Sequence, residues 1–210
     1  SPRQRYRPIS ADSYYLRIES REPDGSKPSP EIPIADPELA PYLASTPSIQ
    51  SDHPEIEQLA RAVAGGEENS RKVAGLLSAW IHKNLEKTFL TAPPSARKVL
   101  REKKGDCKAH SVLFVALARN LGLPARQVSG LVLMGDGKFY YHQWAEAFLG
   151  RWIAVDPVFD QLPVDATHLK LSEGDPQNQI RLLKLIGELS IEVLEVPPGK
   201  DSIFFDSGRE

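Results

Sequence analysis

One cysteine in 210 residues excludes an internal disulfide and leaves both redox compartments open. Long hydrophobic runs are also missing. The longest, Val112 to Ala118, has seven residues, too few to cross a bilayer, and no signal-peptide pattern opens the chain. Charge of one sign is not in excess: 26 Lys and Arg against 28 Asp and Glu give a net charge of −2, which points away from nucleic acid as a partner. The chain begins at Ser1 rather than Met, which fits a trimmed piece of a longer polypeptide. An extracytoplasmic site of action, periplasmic or secreted, is the expectation. What remains is a chain with 40% apolar residues, enough for one sizeable core or one core and a short appendage.

Proline punctuates the first quarter. Ten of the 18 prolines lie in residues 1–54, and the run Pro28, Pro30, Pro33, Pro37, Pro41 cannot sustain a helix or a central strand. Residues 1–51 therefore read as an arm or connector, with a short strand where Tyr14, Leu16 and Ile18 alternate with polar neighbours. From Asp52, an expected N-cap, Ile56, Leu59, Ala60, Val63 and Ala64 repeat at helical spacing until Gly65-Gly66. A second helix carries the stripe Val73, Leu76, Leu77, Trp80, Ile81. Ser95 caps a third, with Ala96, Val99 and Leu100.

Chemistry concentrates after Gly105, which allows a backbone turn closed to other residues. Cys107 opens the apolar segment Val112, Leu113, Ala116, Leu117, so its thiol sits at a helix start, where unpaired N–H groups favour negative charge. A free thiol with a pKa of about 8.5 is mostly protonated at neutral pH and needs such help to act as a nucleophile. Strands follow: Arg126 to Leu133, a turn at Gly135-Asp136-Gly137, Phe139 to Phe148, and Trp152 to Asp156. A three-residue loop, Leu149-Gly150-Arg151, pairs Phe148 with Trp152 and so Trp144 with Asp156, which makes His142 a diagonal neighbour of Asp156. A two-residue loop would set the two on opposite faces. Further on, Ala166 to Leu171 and Leu189 to Val193 read as strands and Ile180 to Ile186 as a helix face. Domain bounds follow at 52–196, with 197–210 as a C-terminal tail.

Each of these residues also has a plainer role. A lone cysteine can be a small buried hydrophobe, His142 a solvated strand residue, and Asp156 before Pro157 a turn former. Trp144 and Trp152 fit sheet packing or a wall beside the thiol. His110, three residues after Cys107, could be a base or half of a zinc site, but no second cysteine or His-x-x-x-His pair completes four ligands.

The string Gly105-Asp106-Cys107-Lys108-Ala109-His110, continuing through Ala118-Arg119-Asn120-Leu121-Gly122-Leu123-Pro124-Ala125-Arg126, resembles the cysteine region of the transglutaminase-like superfamily, bacterial type. His142-Gln143-Trp144-Ala145-Glu146-Ala147-Phe148 is similar to its histidine strand, and Arg151-Trp152-Ile153-Ala154-Val155-Asp156-Pro157 to its aspartate strand. The resemblance implies a papain-related α+β fold, with a central helix headed by the nucleophile and packed on an antiparallel sheet carrying His and Asp. It implies Cys107 as nucleophile, His142 as general base and acid, and Asp156 as its orienter, with no cofactor and no metal. Animal members place a tryptophan before the cysteine to help hold the oxyanion; Thr88 to Ser95 contains none, so the N–H of Cys107 is one expected donor and the second is unassigned. The expected activity is acyl transfer from a protein or peptide amide, hydrolysis before amine transfer, with a non-catalytic binding domain of a larger protein as the rival.

Overall fold

The computed structural model describes residues 3–20, 28–89, 93–174, 190–194 and 202–206. Its strands are β1 (Gln4–Pro8), β2 (Tyr14–Glu19), β3 (Glu86–Lys87), β4 (Lys104–Gly105), β5 (Ala125–Leu133), β6 (Phe139–Phe148), β7 (Trp152–Val155), β8 (His168–Glu173), β9 (Glu192–Leu194) and β10 (Ser202–Asp206). The helices are α1 (Pro54–Ala64), α2 (Ser70–Asn84), α3 (Ala96–Glu102) and α4 (Cys107–Asn120), with a 3-10 turn at Pro37–Tyr42. The chain divides into two units, residues 23–127 with 143–163, and residues 1–22 with 128–142 and 164–210.

In the larger unit every residue of α4 from Ala109 to Ala118 is buried. Helices α1, α2 and α3 each pack against it. Such all-round burial explains why α4 reads in sequence as a continuous apolar run rather than a stripe. Leu113, Phe114 and Leu117 are fully sealed, and each contributes about 1.5–3 kcal/mol of transfer free energy. The expected stripe of α2 is rotated: Val73, Ala74, Leu77, Ser78 and Ile81 are buried, Trp80 packs at the margin, and Leu76 is exposed.

The helix caps differ from expectation in instructive ways. His53, not Asp52, caps α1: its Nδ1 accepts from the Glu55 N–H at 3.2 Å, while the Asp52 carboxylate takes the Ser45 hydroxyl at 2.6 Å. Ser95 stands at the N-cap of α3 without a side-chain hydrogen bond. The exposed amides are met instead by Ser48 C=O, which accepts from Ala96 N at 2.9 Å, and Gln50 Oε1, which accepts from Arg97 N at 3.1 Å. The left-handed residue before the thiol is Lys103 (φ 49°), which ends α3, rather than Gly105, which lies in β4.

The proline-rich stretch is packed down within the larger unit. Ile32 and Ile49 join its core, and Ile34 N donates to Gly122 C=O at 3.0 Å. Gly122 itself has φ +76°, and a Cβ there would stand 2.5 Å from the Pro33 Cβ. Only glycine fits both the backbone and the space. In the same unit β6 and β7 pair antiparallel, with Phe148 opposite Trp152 and Ala145 opposite Val155, the register that a three-residue loop dictates.

The smaller unit holds an antiparallel sheet in the order β1-β2-β10-β9, and β5 paired antiparallel with β8. Ile18 on β2 packs with Ala166 and Leu169. Gln4 clips β1 to β8: its Nε2 donates to Lys170 C=O at 2.9 Å and its Oε1 accepts from Lys170 N at 2.7 Å. Strand β10 pairs with β2 inside the stretch expected as a tail. The expected helix at 180–186 lies outside the described residues.

Candidate active site

Cys107 is the first residue of α4 and is half-buried. Asp106 caps the helix with Oδ1 accepting from Ala109 N at 3.2 Å, which fixes the first turn and the direction of its remaining amides. Behind the cap, β3 and β4 form a short parallel pair, extended by Thr88 N donating to Gly105 C=O at 3.1 Å, so the residues entering the helix are held by β3. Among the described residues, neither the N–H nor the Sγ of Cys107 is engaged by a partner.

His110 lies one turn further along and is fully buried. Its Nδ1–H donates to Asp106 C=O at 2.8 Å, which leaves the Nε2 lone pair exposed to its surroundings, and Nε2 is buried without a hydrogen-bond partner among the described residues. Burial of the ring pushes its pKa below the ordinary value of 6.5; the Asp106 carbonyl and the charge of Asp156 work against that shift, and Lys87 reinforces it. His110 is therefore neutral at neutral pH and committed to its own helix.

Asp156 follows β7 and has no exposed surface. Its backbone exchanges two hydrogen bonds with Gln161, at 2.9 and 3.0 Å, and its Oδ1 accepts from Val158 N at 2.7 Å. The turn that results is pinned to α2 by His82 Nδ1–H donating to Val158 C=O at 2.9 Å and by Ser78 Oγ donating to Asp160 at 2.9 Å. Asp156 thus fills the turn-forming role open to it in sequence, with one carboxylate oxygen on the turn.

His142 is 5% exposed and is the last residue of the smaller unit's share of β6. It precedes Trp144 by two along the strand and shares its face. Within its own unit the His142 ring meets that of His168 edge-on, with centroids 5.8 Å apart. His168 is fully buried, and its Nδ1–H donates to Asp165 Oδ1 at 3.2 Å. This second histidine was not singled out from sequence; a lone histidine at the start of a short strand gives no signal, and its carboxylate lies three residues back in a loop. Trp152 belongs to a packing cluster, 4.7 Å from Tyr42 and 5.7 Å from Phe148 between ring centroids.

The sequence model of the transglutaminase-like superfamily matches residues 57–157, the span from α1 through the residue after Asp156. These residues form a transglutaminase-like domain. An uncharacterised protein of Haemophilus influenzae is 34% identical to the chain over 97 residues, which cover 44% of this chain and 26% of that protein. The chain thus spans about a quarter of the length of that curated relative. A candidate cysteine protease from Cytophaga hutchinsonii shares the fold, with a TM-score of 0.58 at 24% identity over 77% of this chain and 54% of that one. The periplasmic domain of TgpA from Pseudomonas aeruginosa matches with a TM-score of 0.48 at 13% identity, over 74% of this chain and 72% of that one. The transglutaminase-like domain has the α+β character expected of it, helices with antiparallel strands and Cys107 at the head of the central helix. Among the described residues no helix is long and apolar enough to cross a membrane.

Proposed function

We propose that the chain is a thiol-dependent acyl-transfer enzyme that hydrolyses amide or isopeptide bonds of a protein or peptide, with Cys107 as nucleophile, His142 as base and acid, and Asp156 as the orienter of His142. The observation that carries the reading is the position of Cys107, half-buried at the first residue of the central helix of a transglutaminase-like domain, with its N–H and Sγ uncommitted among the described residues. Helix-start amides are suited to negative charge developing nearby, on sulfur first and on the carbonyl oxygen next.

In this mechanism His142 takes the thiol proton as Sγ attacks the carbonyl carbon. The tetrahedral oxyanion meets the N–H of Cys107, and its collapse breaks the C–N bond while His142 returns the proton to the leaving amine. Water then attacks the thioester, His142 accepts its proton, and the thiol re-forms as the acid leaves. Support for pairing His142 with Asp156 comes from parity: Ala145 stands opposite Val155, and continuing that register by one step would set Trp144 opposite Asp156, with His142 on the face of Trp144. Burial of Asp156 suits a carboxylate that orients an imidazole rather than one that meets solvent.

Hydrolysis is favoured over amine transfer because an amine competes with water only when the site excludes one and holds the other. Mass spectrometry of a cleavable amide and isopeptide peptide library, incubated with primary amine, tests the whole reading. Free acid as the main product, lost in Cys107→Ala, is the expected result; a predominant amine adduct makes the protein a transferase. Turnover by Cys107→Ala equal to the parent overturns the thiol mechanism.

A further inference from the structure

Beside the proposed base the smaller unit places a second histidine, His168, which takes no part in the proton transfers of the proposed reaction. It opens β8 directly opposite Val132 of β5 and has no exposed surface. Its Nδ1–H donates to Asp165 Oδ1 at 3.2 Å, and that same oxygen accepts from Thr167 N at 3.0 Å and from the Thr167 hydroxyl. The carboxylate is thus fixed by its own turn. Through it the His168 ring is fixed in tautomer and in rotation.

Strand pairing brings His142 to the same face. Met134 N donates to Lys138 C=O at 2.9 Å at the closed end of the β5–β6 hairpin, and continuing that register would set Val132 opposite Tyr140 and Gly130 opposite His142. Glycine has no side chain to stand between the His142 imidazole and β8. The two rings meet edge-on, with centroids 5.8 Å apart and planes at 62°, in the arrangement that ring quadrupoles favour, and His142 itself is only 5% exposed.

A general base works only when the correct nitrogen lies within hydrogen-bond reach of the proton it takes. The χ2 torsion of histidine is broad and roughly two-fold, so an unrestrained ring turns over and exchanges Nδ1 for Nε2. A buried ring locked to a carboxylate and set edge-on to His142 opposes that turn. We infer that His168, held by Asp165, is a positioning residue that fixes the His142 ring for proton transfer, a role that rests on His142 being the base.

NMR of the protein with isotope-labelled histidine reads the His142 ring whether or not a substrate is turned over, and His142→Gln assigns its signals among the five histidines. In His168→Ala the His142 ring signals are expected to broaden or double as the ring gains freedom. In His168→Phe, which keeps a ring edge in place, they stay as in the parent. An edge-on aromatic pair is worth up to about tenfold, so kcat on a substrate from the amide and isopeptide library should fall by about that factor in His168→Ala, with KM within about twofold, and recover in His168→Phe. If His168→Ala does not fold, Asp165→Ala, at a side chain 47% exposed, releases the His168 ring and is expected to act in the same direction. Unchanged His142 signals in the folded variant, or signals altered alike in His168→Ala and His168→Phe, overturn the positioning role alone. Turnover untouched by His142→Gln overturns the base reading and the positioning role with it.

Discussion

One carboxylate oxygen of Glu146, Oε2, accepts from both Nε and Nη2 of Arg126, at 2.8 and 2.7 Å, with the two side chains only 6% and 11% exposed. The guanidinium also lies 4.2 Å over the Trp152 ring and 5.6 Å from that of Tyr42. Glu146 faces Ala154 in the β6–β7 hairpin, so the pair ties that hairpin to the start of β5. Removing one partner takes this counter-charge from the other in a nearly dry site. Glu146→Ala is expected to cost about 3–5 kcal/mol in urea unfolding, while Arg126→Met combined with Glu146→Leu costs much less than the two single changes together. A double variant whose loss equals the sum would show that the two side chains act independently.

Asp156→Asn separates the turn from the proposed chemistry. The amide oxygen can still accept from Val158 N, where Oδ1 accepts now at 2.7 Å, so the unfolding midpoint should move little. The other carboxylate oxygen becomes an N–H donor, which reverses its preference towards an imidazole N–H. Turnover of a substrate found in the amide and isopeptide library should fall by roughly 10³–10⁴. Full activity in Asp156→Asn would leave Asp156 as a turn residue alone.

His110 is expected to give the fold an acid sensitivity. Its pKa lies below the ordinary 6.5 because burial penalises the imidazolium, so below that pH the unfolded chain binds the proton more readily than the folded one. The stability this neutral ring contributes is complete above about pH 6.5 and is lost as pH falls towards and through the folded value. His110→Leu fills a similar volume and leaves Asp106 C=O with the helical N–H of His110 at 3.1 Å. Urea midpoints taken from about pH 7 down to about pH 5 should fall less steeply in the variant than in the parent. Parallel curves would assign the acid sensitivity to other groups.

Gly122→Ala tests how tightly the proline-rich stretch is seated. The new Cβ would meet both Cβ and Cα of Pro33, at 2.5 and 2.8 Å, on a backbone whose φ of +76° already disfavours a side chain. A loss of about 2–4 kcal/mol is expected, combining left-handed strain with overpacking. Gly137→Ala is the control: φ is also +76°, but nothing lies within 4 Å, so only the strain of about 1–2 kcal/mol remains. Equal losses at the two positions would mean that Pro33 yields without resistance.

Much of the domain could be read before any coordinates because its signals are local. The seven apolar residues Val112 to Ala118 announce a buried helix, and three residues between Phe148 and Trp152 dictate a register that the strands adopt. What escaped depends on partners distant in sequence. Asp52 looks like a better cap than His53 until Ser45 takes its carboxylate, and Ser95 looks like a cap until Ser48 and Gln50 supply the acceptors. Strand β1 gave no apolar alternation because Arg5, Tyr6, Arg7 and Pro8 are all exposed, and its pairing rests on β2. His168 was silent because a ring contact with His142 and a carboxylate at Asp165 leave no trace in residue spacing.

The link Leu149-Gly150-Arg151, closed by Leu149 N donating to Arg151 C=O at 2.8 Å with Gly150 at φ +84°, makes this hairpin unequal in the length changes it can inherit. An added residue can swell outward at the glycine and leave Phe148 facing Trp152. A lost residue cannot be absorbed there. The strands would have to slip by one, and every side chain beyond the link would exchange inside for outside, Asp156 taking the direction now held by Val155. Descendants of this sequence are therefore free to lengthen the link, whereas shortening it by a single residue turns over the whole aspartate strand.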